Sequence, residues 1–124
     1  MIVCINTVFA RLFKKANIEV KSMNKTIQEV VQGNNTPLGH KLFKKRISSR
    51  NQGKRGAYRS ILYYRNGELM VFIYLFAKND VENITPKEMK EMIILSRLFD
   101  TMHDQEIQKA ISEGKFVRWN YEEE

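Results

Sequence analysis

The residues of this 124-residue sequence whose types suit chemistry are lysines, arginines and tyrosines, and the basic ones concentrate in its middle. Residues 30–67 contain nine basic side chains and no acidic one, whereas residues 68–124 contain seven basic and twelve acidic ones. A block of like charges destabilises itself by repulsion unless a polyanion meets it. The charge distribution therefore predicts a nucleic-acid partner, with a solvated basic surface as the alternative.

Lys, Arg and Tyr side chains together can cleave RNA without a metal ion, because RNA supplies its own nucleophile, the 2′-hydroxyl. The protein must align that hydroxyl with the adjacent phosphorus, move protons and stabilise the negative charge of the phosphorane. Arginine suits the last task, since its guanidinium binds two phosphate oxygens and stays charged. Lysine or tyrosine can transfer protons if neighbouring cations or burial lower its pKa. The same residue types also bind phosphate without chemistry, so both interpretations remain open here.

Other catalytic patterns are absent from the sequence. His40 and His103 lie far apart and match no metal-ligand spacing, and no serine has the Gly-x-Ser-x-Gly frame. The sequence also lacks the glycine-rich motifs that bind nucleotide phosphates. Cys4 is the only cysteine, which excludes an internal disulfide and a cysteine zinc site. We therefore predict no metal and no other cofactor.

A predicted β-hairpin positions part of the basic block. Residues 57–65 and 68–78 are β-rich runs, and the Asn66-Gly67 pair between them favours a two-residue turn. This register pairs Arg59 with Tyr74 and places both on one face, close to Lys78. The opposite face is aliphatic and is predicted to be core covered by helices. It carries Tyr58, Ser60, Leu62, Tyr64, Leu69, Val71, Ile73 and Leu75.

Before the hairpin, apolar periodicity and capping signals predict a strand, two helices and a second strand. The first strand covers residues 1–6, and the helices begin near Thr7 and Ser22, the second ending at Gly33. Residues 38–48 are predicted to form the second strand. The predicted loops cover residues 34–37 and 49–56.

After the hairpin, the sequence predicts two more helices. Thr85 and Glu88 form a capping box with Pro86 at the first helical position, and a fourth helix begins near Asp104. The order βααβββαα indicates an α+β domain with an antiparallel sheet of about four strands packed against the N-terminal helices. We predict a single domain, divided into a core (1–84), a C-terminal helical extension (85–119) and an acidic tail (120–124).

Hydropathy favours a cytoplasmic protein. The longest apolar run, residues 69–77, has nine residues, whereas a membrane-spanning helix needs roughly 18. The apolar N-terminal stretch lacks the basic start of a signal peptide and runs directly into Arg11. The single cysteine fits a reducing compartment.

Short blocks spread along the chain resemble one known family. They are, in order, Leu38-Gly39, Lys44-Lys45-Arg46, Arg50, Gln52-Gly53-Lys54, Gly56, Tyr58-Arg59, Phe76-Ala77-Lys78-Asn79, Asn83-Ile84 and Lys87-Glu88. From about residue 16 to residue 114 the sequence resembles the RelE-type toxins of bacterial type II toxin–antitoxin systems, within the RelE/ParE/HigB superfamily. In the family pattern a glycine stands where this chain has His40 and a serine where it has Arg55.

The resemblance implies a small RelE-like fold and a ribonuclease that enters the ribosomal A site and cleaves translated mRNA. It also implies a cognate antitoxin, helix-turn-helix or RelB-like, that covers the basic groove. Because the family's catalytic cations lie on the central strands, we expect Arg59 to stabilise the phosphorane and Lys78 to stabilise the phosphate or donate a proton. Tyr74 is expected to stack on a base or transfer a proton. The expected RNA-binding residues are Lys44, Lys45, Arg46, Arg50, Lys54 and Arg55.

Two other functions remain open from the sequence. A ParE-like toxin of the same superfamily would inhibit gyrase and leave mRNA intact. A non-catalytic nucleic-acid-binding module would bind without cutting. The acidic C-terminal part is expected on the solvated outer side, away from the groove. Its helices are predicted to be core, with an antitoxin or dimer surface as the alternative.

Overall fold

The computed structural model describes residues 1–49, 53–77 and 84–121, and gives the backbone alone for residues 48, 49 and 53–57. Its elements are β1 (Ile2–Asn6), α1 (Thr7–Ala16), α2 (Val20–Val31), β2 (Thr36–Gly39), β3 (Leu42–Ser49), β4 (Gly53–Arg65), β5 (Leu69–Ala77), α3 (Pro86–Thr101), α4 (Asp104–Ser112) and β6 (Phe116–Arg118). The described strands form one sheet in the order β2-β3-β4-β5-β1-β6. All neighbours are antiparallel except β1 and β5, which are parallel.

The α+β class is confirmed, but the sheet has six described strands instead of about four. The segment predicted as one strand forms β2 and β3, separated by a tight turn in which His40 and Lys41 have φ values of 56° and 60°. Glycine adopts such left-handed conformations without strain, which explains the glycine at the position of His40 in the resembled family. β2 also includes Thr36 and Pro37, which were predicted as loop, and β4 begins at Gly53 inside the second predicted loop.

Helix α1 starts at a different cap from the predicted Thr7. The N-cap is Asn6, whose Oδ1 accepts a hydrogen bond from the backbone N–H of Phe9 at 2.7 Å. Its Nδ2 donates to the carbonyl oxygen of Ile73 at 2.8 Å. One amide therefore joins the end of β1 and the start of α1 to β5. The N-cap of α2 is Glu19 instead of the predicted Ser22.

The two C-terminal helix starts are confirmed. The Thr85 hydroxyl accepts from the Glu88 backbone N–H at 3.1 Å, and the Glu88 carboxylate accepts from the Thr85 backbone N–H at 3.2 Å. Pro86 occupies the first helical position, where its missing N–H costs nothing. Helix α4 begins at Asp104 as predicted.

The sheet buries both of its faces. Helices α1 and α2 cover one face, where the fully buried residues include Phe9, Met23, Ile27, Leu62 and Phe72. Helices α3 and α4 cover part of the other face, whose buried residues include Ile61, Tyr63, Met92, Phe99 and Ile107. The prediction that the C-terminal helices contribute to the core is therefore confirmed. Most of the described acidic side chains of this part of the chain are exposed, as expected. Large apolar side chains gain about 1.5–3 kcal/mol each on burial, so this layer stabilises the whole sheet.

The turn of the β4–β5 hairpin forms where predicted but sets a different register. Asn66 and Gly67 have positive φ values, 23° and 71°, as a tight hairpin turn requires. Leu69 lies opposite Arg65, however, so the connection contains three residues and not two. The predicted two-residue turn, which would place Arg65 opposite Glu68, is therefore wrong by one residue.

A bulge in β5 shifts the register once more. Ile61 lies opposite Tyr74 and Leu62 opposite Phe72, which leaves Ile73 as the extra residue. Arg59 consequently lies opposite Phe76. The predicted direct pairing of Arg59 with Tyr74 is wrong, although the two share a face as diagonal neighbours.

Candidate nucleic-acid interface

An open depression of about 400 Å³ lies beside β3 and β4, and we call it the strand groove. Its described lining residues are Asn34, Asn35, Thr36, Lys44, Lys45, Arg46 and Arg59. Arg46 lies directly opposite Arg59 across the two strands. Like charges at such positions repel each other, and no acidic residue is among the described lining. The arrangement favours an anion at this place.

Arg59, Arg46 and Lys44 share one face of the sheet because side chains alternate along each strand. Arg46 is exposed, and Lys44 and Arg59 are half-buried, so their charged ends reach solvent. Guanidinium groups bind phosphate oxygens in pairs, whereas an ammonium binds as a point charge. The strand groove therefore has the chemistry of a phosphodiester-binding site.

Lys45 faces the other side of the sheet, as the alternation requires. Its side chain is only 8% exposed, and Nζ lies 3.3 Å from Oε1 of Glu29 on α2. A lysine this buried needs a partner, because leaving a charge unpaired in the interior is costly. Part of the positive charge that was assigned to RNA binding is thus matched by a carboxylate.

Tyr74 lies on the same face as Arg59 but outside the described lining of the strand groove. Burial raises the pKa of Tyr74, and the charge of the nearby Glu88 carboxylate and a hydrogen bond to it raise the pKa further. The phenol consequently stays protonated at neutral pH and serves as a hydrogen-bond donor. Its ring lies 5.9 Å from that of Phe76, between centroids.

The side chains of four predicted site residues are not among those that the structure describes. Lys78 and Arg50 lie outside the described residues. Lys54 and Arg55 belong to β4, for which the backbone alone is described at these positions. Of the nine predicted site residues, Arg59, Lys44 and Arg46 are brought together on one face.

A model of the family described as the RelE toxin of the RelE/RelB toxin–antitoxin system matches residues 1–118. The chain belongs to the RelE toxin family. This RelE family toxin is therefore the toxin component of a toxin–antitoxin pair, and it has an antitoxin as partner. The match covers every element from β1 to β6. No curated protein matches the chain.

In this RelE family toxin, two cations of the basic block hold helix α3 in place. Asp100 Oδ1 accepts from Lys41 Nζ at 2.9 Å and from the Tyr63 hydroxyl at 2.5 Å. Arg65 donates to the carbonyl oxygens of Phe99 at 3.0 Å and Met102 at 3.2 Å, close to the end of α3. These carbonyls lie at the C-terminal end of α3, where the Phe99 oxygen also accepts from the Met102 backbone N–H at 3.2 Å, so the guanidinium adds donors that cap the C-terminus of the helix. Lys41 and Arg65 have structural roles.

The sequence did not reveal that Glu29 contacts Lys45 or that Glu88 contacts Tyr74. Glu29 directly precedes the acid-free block of residues 30–67, so the charge count for that block left out the carboxylate that pairs with Lys45. Glu88 was recognised only as part of a helix cap. Two hydrogen bonds from Thr85 lower the pKa of Glu88, and the bond from its hydroxyl has a larger effect than the bond from its backbone N–H. Burial opposes this change, and a hydrogen bond from Tyr74 lowers the pKa further.

The described parts of the toxin contain no cluster of three or more His, Cys, Asp or Glu side chains that would bind a metal ion. No helix within those parts is long and apolar enough to cross a membrane.

Proposed function

We propose that this RelE family toxin is a metal-independent mRNA endoribonuclease that acts in the cytoplasm on ribosome-bound mRNA and so inhibits translation. The observation that carries the proposal is the strand groove, where Arg59 and Arg46 lie opposite each other beside Lys44 with no described carboxylate in the lining. Its cognate antitoxin is proposed to neutralise the toxin by covering this groove.

In the proposed reaction the 2′-oxygen of one nucleotide forms a bond to its own 3′-phosphorus while the bond to the 5′-oxygen of the next nucleotide breaks. The 2′-hydroxyl loses its proton to a base, and the departing 5′-oxygen receives a proton. The products are a 2′,3′-cyclic phosphate and a 5′-hydroxyl. Arg59 donates hydrogen bonds to the non-bridging oxygens as their negative charge grows in the phosphorane.

The other residues have distinct proposed roles. Lys44 and Arg46 bind flanking phosphates, and Lys78 stabilises the phosphate or donates the proton to the 5′-oxygen. The raised pKa of Tyr74 supports base stacking or proton donation by this residue over proton abstraction. The remaining proposed RNA-binding residues are Arg50, Lys54 and Arg55, whereas Lys45 pairs with Glu29 instead.

Primer extension on a cellular mRNA after brief induction of the toxin tests the proposal. We expect cuts that follow the codon phase, and none after induction of Arg59→Ala. Intact mRNA together with arrested replication would indicate a gyrase inhibitor instead. Intact mRNA together with normal replication would indicate a non-catalytic nucleic-acid-binding module. Incubating one purified mRNA with the toxin, with and without ribosomes, measures the ribosome dependence.

A further inference from the structure

A second groove of about 590 Å³ lies on the α2 side of β3, and we call it the helix groove. Its described lining residues are Lys21, Ser22, Lys25, Thr26, Glu29, Lys45 and Arg46. Lys45 and Arg46 line both grooves, so the helix groove and the strand groove adjoin. Together they form one basic surface that joins the two faces of the sheet.

The edge of β3 allows a chain to pass between the two grooves. Within the described residues, β2 pairs with β3 from Leu42 to Lys44 and no further. Lys45 and Arg46 therefore lie just beyond the end of β2, where they alternate between the faces. A strand of RNA can turn around β3 at this position without meeting a neighbouring strand of the described sheet.

The composition of both grooves indicates which polymer they bind. Every described lining residue is polar or charged. The other grooves of the molecule include apolar residues such as Leu12, Phe43 and Met92 in their linings. Protein partners bury apolar side chains at the centre of an interface, whereas nucleic-acid backbones are bound by Lys, Arg, Ser, Thr and Asn.

The helix groove remains cationic after its internal pairing is counted. Glu29 is held by Lys45, which leaves Lys21, Lys25 and Arg46 as the other charges among its described lining. Lys21 is 86% exposed and lies 3.5 Å from Glu19, an exposed pair that contributes little. Both α2 lysines are therefore accessible to phosphates.

From these observations we infer that the RNA strand whose scissile phosphate lies in the strand groove continues around the edge of β3 into the helix groove, where Lys21 and Lys25 bind its backbone. The inference rests on the proposed function for the place of cleavage. It assigns to α2 the binding of nucleotides that lie farther from the cut than those whose phosphates Lys44 and Arg46 bind.

Binding of RNA oligomers of two lengths tests the inference. The probes are fluorescent 2′-O-methyl RNA oligomers of about 5 and about 20 nucleotides, which cannot undergo 2′-hydroxyl attack and span the site sizes common for single-strand binding. Fluorescence anisotropy with the full-length toxin, freed from its antitoxin, gives the affinity as a function of KCl concentration. The matched control is Lys109→Ala/Lys115→Ala, which removes the same charge at exposed positions on and after α4.

We expect Lys21→Ala/Lys25→Ala to bind the long oligomer roughly tenfold more weakly at 0.1 M salt, with the logarithmic salt slope reduced by about 1.4. Lys21→Ala/Lys25→Ala should bind the short oligomer as tightly as the wild type does. The control variant Lys109→Ala/Lys115→Ala should bind both oligomers as tightly as the wild type does. Glu29→Gln should have the opposite effect, because it frees the charge of Lys45 and steepens the slope for the long oligomer. Damage to the fold would weaken RNA binding in both variants. A loss of affinity in the lysine variant together with a gain in Glu29→Gln therefore indicates an electrostatic contact with the RNA.

Three results would overturn the inference. The first is that Lys21→Ala/Lys25→Ala binds the long oligomer as tightly as the wild type does. The second is that Lys109→Ala/Lys115→Ala loses as much affinity for the long oligomer as Lys21→Ala/Lys25→Ala does. The third is binding of polyglutamate as tightly as the RNA, which would mean that the surface accepts any acidic chain. Failure of the toxin to cut mRNA would defeat the proposed function alone, because the oligomer affinities are measured without cleavage.

Discussion

Arg59 lies directly opposite Phe76 in the β4–β5 hairpin. On its other side Arg59 faces Arg46 of β3, so the positive charge concentrates toward β3 and the aromatic rings toward β5. The cationic and the aromatic side chains therefore occupy neighbouring but separate parts of one face. Ile73, the extra residue of the bulge, sets this arrangement by moving Tyr74 to a diagonal position.

We expect Arg59→Ala to lower the rate of mRNA cleavage about 10²–10³-fold, the usual cost of removing one group that stabilises a transition-state oxyanion. Arg59→Lys should retain intermediate activity, because it keeps the charge and loses the two-point contact. Single-turnover cleavage on ribosomes measures both. Arg97→Ala, at an exposed position of α3, is the control. Full toxicity of a folded Arg59→Ala variant would refute the site assignment.

Asn6→Ala should lower the free energy of unfolding by roughly 2 kcal/mol, since it removes both the cap of α1 and the donor to the Ile73 carbonyl. Asn6→Asp keeps the capping oxygen and should cost less. Urea unfolding followed by Trp119 fluorescence measures the change. Thr7→Ala, at the cap position predicted from the sequence, should cost only a few tenths of a kcal/mol. A larger cost at Thr7 than at Asn6 would contradict the observed cap.

We expect Glu29→Ala to destabilise the fold by about 1–3 kcal/mol, because it leaves the nearly buried ammonium of Lys45 without its carboxylate. Lys45→Met should change stability little, since methionine fills similar space and needs no partner. In the double variant the loss caused by Glu29→Ala should disappear. A double-mutant cycle by urea unfolding measures the coupling, and strictly additive effects would show that the pair does not interact.

The contact between α3 and the sheet should depend on pH through Asp100. Burial alone would raise the pKa of Asp100, but hydrogen bonds from Tyr63 and Lys41 and the charges of Lys41 and Arg65 hold it below its ordinary value. A carboxyl whose pKa is lower in the folded state contributes stability above its unfolded pKa of about 3.9 and loses it as pH falls through the folded pKa.

We therefore expect Asp100→Asn to be less stable than the wild type at pH 7, with the difference shrinking below about pH 4. Urea midpoints measured between neutral and acidic pH follow this change. Glu113→Gln, at an exposed position after α4, should show no comparable difference at any pH. A difference for Asp100→Asn that is independent of pH would mean that its charge does not hold α3.

Cys4 should be chemically inert in the folded toxin. It is completely buried, and burial raises the pKa of its thiol to about 11 although the charge of Arg118 opposes the shift. Thiolate is the reactive form, so we expect no alkylation by iodoacetamide at pH 7.5 until the protein is unfolded. Mass spectrometry measures the modification, and Cys4→Ala should keep full toxicity. Stoichiometric labelling of the native protein would contradict the buried position.

Several features of this toxin could be predicted from the sequence because their causes are local. The capping box at Thr85 acts within three residues, and the positive φ values at Asn66 and Gly67 belong to the turn itself. The excess of cations in residues 30–67 is a property of composition. The ordered blocks of residues also predicted the family, which the match over residues 1–118 confirms.

Tertiary structure alone decided which cations meet in the strand groove. The Asn6–Ile73 contact joins residues 67 positions apart, and the Lys41–Asp100 contact joins residues 59 positions apart. Such contacts form only when distant elements pack together, so no local pattern encodes the bulge, the burial of Lys45 or the use of Lys41 to hold α3. The sequence determined that the chain is basic in its middle. Packing determined that Arg46 and Arg59 lie opposite each other in the strand groove, while Lys41 and Lys45 pair with carboxylates.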